Sequence, residues 1–150
     1  MQHDTTVWYG TTTEKILAWR ELRQQAADKS LLETIEMINA WWTYTPWVRK
    51  TIDPYDTSTW PTPWDMINLG QFCRSAIALG QAYTLWLCRP DVKTELYLVN
   101  NFSEKDIHLI AVIDEKFVLN YILGQVLMLE QCDFELLNTV NRQDLKHIKI

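Results

Sequence analysis

His108-Leu109-Ile110-Ala111-Val112-Ile113-Asp114-Glu115-Lys116-Phe117-Val118-Leu119-Asn120 is the stretch that decides the fold. An apolar run, Leu109 to Ile113, follows His108, three charged residues end it, and a second short apolar run ends in a carboxamide. Short apolar runs bounded by a charged turn mark strands, in which successive side chains face opposite sides, so the stretch predicts an antiparallel hairpin. Loop length then sets parity. If Asp114, Glu115 and Lys116 form the loop, Ile113 pairs with Phe117 and Ile110 faces Asn120. His108, Ile110, Val112, Val118 and Asn120 then share one face, with Asn120 diagonal to His108 and close enough to hold its ring. A two-residue turn would place His108 and Asn120 on opposite faces. A three-residue loop prefers glycine at its last position, and this chain has Lys116 there.

Upstream, Gly70-Gln71-Phe72-Cys73-Arg74-Ser75-Ala76-Ile77-Ala78-Leu79-Gly80 predicts a short helix over 71–80, with Cys73 near its start and Gly80 as its stop. After it the pattern turns strand-like at 83–88, 94–99, 107–113, 116–123 and 126–129. The segment before it is irregular. Pro46, Pro54, Pro61 and Pro63, with Asp53, Asp56, Thr57 and Ser58, predict an extended stretch up to Pro63, where a short helix starts and runs to Gly70. Earlier still, Thr11-Thr12-Thr13-Glu14 and Ser30 with Glu33 are start signals for two helices joined by a short link, a helical hairpin. Helices first and strands afterwards mean an α+β fold with an antiparallel sheet. The chain reads as a single domain over 1–150: a helical lead-in over 1–45, an extended Pro/Trp segment over 46–63, the Cys helix and sheet over 64–130, and a tail or helix over 131–150.

Composition excludes several classes. Of 150 residues, 47% are apolar, enough for one folded core. A net charge of −5 and a pI near 5.1 argue against a nucleic-acid partner. The most basic stretch, Arg142 to Lys149, also carries Asp144 and reads as a solvated end. No apolar run is long enough to span a membrane, and the polar start, Met1 to Thr6, lacks the pattern of a secretory leader. Cys73, Cys88 and Cys132 are odd in number and widely spaced, which predicts neither a disulfide framework nor a zinc knuckle and favours a reducing, cytoplasmic compartment. His3, His108 and His147 are too scattered for a metal site, and no cofactor is expected. Eight tryptophans, six of them in the first 60 positions, supply core and could also line a cleft or a partner surface.

A thiol near a helix N-terminus is acidified by the unpaired N–H groups there, and an imidazole can complete its activation. Cys73, His108 and Asn120 therefore supply a nucleophile, a base and an orienter. The pattern resembles the transglutaminase-like branch of the papain-like superfamily. There, a Cys helix is followed by a strand beginning with His, a turn, and a second strand ending in Asp. The resemblance covers about residues 64 to 122 and rests on Gly70, Cys73, Ala76, Leu79 and the His108–Asn120 hairpin. It departs where Asn120 replaces the usual Asp and where Leu109 replaces an aromatic. It implies acyl chemistry on protein or peptide amides: hydrolysis, deamidation or cross-linking. An upstream tryptophan, Trp60 or Trp64, would help to bind the oxyanion.

Each residue also has a structural reading. Cys73 can be a small buried apolar group, His108 a strand-start residue, and Asn120 a polar strand end. Cys88 and Cys132 read as structural. The alternative to an enzyme is a protein of the same fold that binds partners in an assembly without turnover. Small stand-alone relatives in phage genomes would make that assembly a virion. The exposure of Cys73 and its distance to His108 discriminate the two readings.

Overall fold

The computed structural model describes residues 6–150, so the reading of the first residues as lacking a leader, and His3, lie outside it. Helix α1 spans Thr12–Ala27 and α2 spans Leu31–Thr43. Both start as their sequences dictate: Thr11 and Glu14 form a reciprocal capping box, and Ser30 accepts from the Glu33 amide. They form the expected hairpin, with Trp19 and Leu22 of α1 and Ile35, Ile38 and Trp42 of α2 in the core. Helix α3, Pro63–Leu69, has Thr62 as N-cap, proline in its first turn and a left-handed Gly70 at its end (φ 68°).

Helix α4, Arg74–Cys88, corrects the sequence reading twice. Gly80 does not stop it, and residues 83–88 are not a strand. Every residue from Ser75 to Trp86 is buried, the polar Ser75, Gln81 and Thr84 included, so the segment has no one-sided period to read. Gly80 serves another purpose: a Cβ there would run into the ring of Trp42. Helix α2 can therefore lie close against α4 only where the side chain is a hydrogen. Thr84, one turn on, holds the contact. Its hydroxyl donates to the Gly80 carbonyl (2.7 Å) and accepts from the indole N–H of both Trp19 (2.9 Å) and Trp42 (3.0 Å). The helix ends before Pro90, which disfavours helical backbone at Arg89.

Five strands follow: β1 Thr94–Asn101, β2 Asp106–Ile113, β3 Phe117–Leu119, β4 Val126–Met128 and β5 Phe134–Val140, in spatial order β4-β3-β2-β1-β5 and antiparallel at every pairing. The tail over 131–150 is thus an edge strand followed by a 3-10 turn at Arg142–Leu145 rather than a helix. The hairpin register is the expected one, Ile113 opposite Phe117. The loop manages without glycine because Asp114 and Glu115, not Lys116, take the left-handed conformation (φ 57° and 53°). Lys93 steadies it, accepting from the Asp114 amide through its carbonyl (2.7 Å) and pairing with Glu115 (2.6 Å).

The sheet separates two apolar clusters. Leu96, Leu98, Leu109, Ala111, Ile113 and Leu119 face the helices. Val99, Ile110, Val112, Val118 and Tyr121 form a smaller cluster on the other face, covered by Ile122, Leu127, Leu129, Cys132 and Phe134. The tryptophans divide as well: Trp8, Trp19, Trp42, Trp60 and Trp86 are buried, whereas Trp47 and Trp64 are exposed. Segment 44–62 is irregular, but it is anchored by Ile52 and Trp60 in the core and by a bridge between Trp47 and Phe72.

Candidate active site

Cys73 is the N-cap of α4, in extended conformation, so the first free amides of the helix open beside it. Its side chain is 5% exposed and belongs to the helix-side cluster. Thr51, from the irregular segment, donates its hydroxyl to the sulfur (3.4 Å) and accepts from the Cys73 amide (3.4 Å). Burial pushes the thiol up. The Thr51 hydroxyl and the backbone at Thr51, Ala76 and Ile52 outweigh that, leaving it below the ordinary thiol value. The thiol is acidified on a residue that is almost wholly buried, whereas a reactive thiolate needs acidity and access together.

His108 is 1% exposed. Its protonation state follows from its neighbour Asn101. The Asn101 side-chain oxygen accepts from the amides of Ser103 (3.0 Å) and Glu104 (3.2 Å), and its nitrogen donates to the Tyr121 carbonyl (2.8 Å). Backbone amides only donate and carbonyls only accept, so the carboxamide has one allowed orientation. Its second N–H then points at Nε2 of His108 (3.2 Å), which must accept. The ring proton therefore sits on Nδ1 and is donated to the Leu109 carbonyl (2.9 Å). The ring is neutral with both nitrogens occupied. Burial first, then the Arg74 charge, hold His108 below its usual value, against the Leu109 bond and the charges of Asp106 and Glu104.

Asn120 does not hold that ring. It is left-handed (φ 72°), which turns its side chain toward α4. Its nitrogen donates to the carbonyls of Leu109 (2.9 Å) and Arg74 (2.8 Å), and its oxygen accepts from Arg74 Nε (2.8 Å). The shared acceptor, Leu109 O, is all that links it to His108. Register explains the rest: the face expected for His108, Ile110, Val112 and Val118 is that of the smaller cluster, whereas Cys73 packs in the other. No hydrogen bond joins any two of Cys73, His108 and Asn120.

The centre of this region is Arg74, which the sequence reading passed over. Its guanidinium forks onto Glu104 (2.7 and 3.3 Å) and donates to the carbonyls of Asn120 (2.9 Å) and Tyr121 (3.0 Å), as well as to Asn120 Oδ1. The Arg74 bond pulls the Glu104 carboxyl below the usual range. One signal was available: a cation in the first turn of a buried helix opposes the helix dipole and so needs an anionic partner. Beside it, Ser75 Oγ accepts from the Leu109 amide (3.1 Å), tying α4 to β2. Trp60 and Trp64 are engaged elsewhere, Trp60 donating to the Asp53 carbonyl (2.7 Å) and Trp64 stacking edge-on against Trp19. Among the described residues no group of His, Cys, Asp and Glu is placed to hold a metal ion, and no helix is long and apolar enough to cross a membrane.

No protein-family model and no curated protein matches this chain. Solved structures do. Legionella pneumophila LapG aligns over 89% of this chain and 77% of its own at 16% identity, with a TM-score of 0.74. Its calcium-bound form gives the same coverage and identity with a TM-score of 0.75. The EGTA-treated form gives 0.73 over 88% and 75% at 16% identity. The likeness extends well beyond the hairpin and the Cys helix, and with the α+β architecture above it establishes the fold as transglutaminase-like, of the papain-like kind.

Proposed function

We propose that this chain is a transglutaminase-like domain that binds other proteins, as a component of an assembly, without turning over a substrate. The observation that carries this reading is the state of His108. A general base needs a free lone pair directed at the nucleophile's proton. Here the Nε2 lone pair is taken by Asn101 and the Nδ1 proton by Leu109, inside the protein. Arg74, Glu104 and Asn120 fill the space between the hairpin and the start of α4 with a closed set of bonds. The fold is kept and the triad positions do structural work. A virion is one setting for such a component.

A second reading has one observation in its favour. Cys73 sits at a helix N-cap with its thiol below the ordinary value, as a cysteine acting on protein or peptide amides would require. Alkylation separates the two. With the native chain at neutral pH, Cys73 is expected to react with iodoacetamide at least ~100-fold more slowly than in urea, because reaction waits on opening of a buried site. Peptide mapping reads Cys73 apart from Cys88 and Cys132. Native labelling as fast as in urea, abolished in Cys73→Ser together with any peptide-amide hydrolysis, would establish the enzyme instead.

A further inference from the structure

We propose that Asn101 and His108 form a proton-operated latch that holds the turn between β1 and β2 closed and releases it when the imidazole takes up a proton. The turn, residues 102–105, is fixed at four points: Asn101 Oδ1 caps it through the Ser103 and Glu104 amides, the Phe102 amide bonds the Asp133 carbonyl, the Ser103 hydroxyl bonds that of Tyr121, and Arg74 grips Glu104.

The latch follows from counting donors and acceptors. A proton on Nε2 makes it a donor facing the donor Nδ2 of Asn101 (3.2 Å). The Asn101 amide cannot solve this by flipping. A flip gives the imidazolium an acceptor, but it turns an NH2 group onto the Ser103 and Glu104 amides and an oxygen onto the Tyr121 carbonyl. One mismatch becomes three. The ring itself cannot turn over freely either, because Nδ1 is held by Leu109 O, which Asn120 also occupies. In a site 1% exposed, water does not replace the lost partner.

The surrounding charges set the direction. From α4, Arg74 opposes a second cation. From the turn and the start of β2, Glu104 and Asp106 favour one. Glu104 is committed to the guanidinium fork, and Asp106 is bonded to the Ile107 amide. From the chain after β3, Tyr121 offers its carbonyl to Asn101, and its hydroxyl bonds Ser103 and the Asp133 backbone. Burial with Arg74 prevails, so the closed form disfavours the proton. A group whose value is depressed in the closed state binds its proton preferentially in the open state, so the latch loosens as pH falls below the ordinary histidine value of 6.5. What is released is the turn that displays Phe102, already 49% exposed, together with the grip of Arg74 on Glu104. The latch is independent of whether Cys73 turns over a substrate.

Amide hydrogen exchange on the full chain tests it, at about pH 7.5 and about pH 5, with rates corrected for intrinsic exchange. Protection of the Ser103 and Glu104 amides is expected to fall at least several-fold at the lower pH, in the direction that a value depressed in the closed form dictates. In His108→Gln the side-chain oxygen still accepts from Asn101 but does not titrate, and the loss should vanish. Protection that stays flat in the native chain, or falls equally in His108→Gln, overturns the latch. Should that variant not fold, imidazole nitrogen shifts of the native chain decide. The Nδ1–H form near neutral pH, titrating together with loss of protection, upholds the latch; an Nε2–H ring, or titration without loss, overturns it.

Discussion

Replacing Arg74 with methionine is expected to lower the unfolding free energy by about 3–5 kcal/mol, the range found when one partner of a buried charge network is removed. The side chain is only 16% exposed and satisfies Glu104, Asn120 Oδ1 and the carbonyls of Asn120 and Tyr121. Methionine fills much of the volume but supplies none of these donors, so Asn120 Oδ1 and the Asn120 carbonyl lose their partner and the Tyr121 carbonyl keeps only Asn101. Lysine should rescue little, since one ammonium cannot reproduce a planar fork. Glu104→Gln provides the contrast. That carboxylate is 30% exposed and can be rehydrated, so its loss should cost only about 1 kcal/mol. Urea unfolding followed by tryptophan fluorescence measures all three. If Arg74→Met falls within ~1 kcal/mol of the native chain, Arg74 contributes no more than a surface pair and the closed network described here is wrong.

Thr84→Val should be comparably severe for a different reason. Valine matches threonine in shape, so no cavity opens and no contact is lost. What disappears is one oxygen on which two indole N–H groups converge, in a part of the core where Trp19 and Trp42 are 0% and 1% exposed. Two stranded donors cost roughly 2–6 kcal/mol, at 1–3 each. Thr84→Ser keeps the oxygen and should recover most of the loss. A valine variant as stable as the serine one would mean that the indoles find other acceptors.

The hairpin register was legible because a period of two is rigid: once Asp114 to Lys116 formed the loop, every partner from Ile113 to Ala111 was fixed. The helix starts at Thr11 and Ser30 were legible because capping is local, and the one at Pro63 because proline fits a first turn. Thr84 and Gly80 were not. Their roles depend on Trp19 and Trp42, far away in the chain, and an all-buried helix such as α4 hides its period. The site was half legible. Cys73 does lie at a helix start, and the hairpin does end at Asn120. The expectation that these groups meet treated Asn120 as ordinary strand and Arg74 as a bystander. A left-handed backbone at Asn120 and five donors on Arg74 redirect the carboxamide to α4. Asn101, which fixes the imidazole, stood in a polar break between strands that carried no motif.

The two apolar clusters have a further consequence. Ala111 and Val112 are bonded neighbours, yet one looks to the tryptophan-rich side and the other to the compartment roofed by Ile122, Leu127 and Phe134. The sheet works as a bulkhead. Packing defects on opposite sides share no partners, so their penalties should sum as those of distant sites do, even when the altered residues are adjacent in sequence. For this molecule, closeness along the chain is a poor guide to which substitutions will compensate one another, and the side of the bulkhead is a good one.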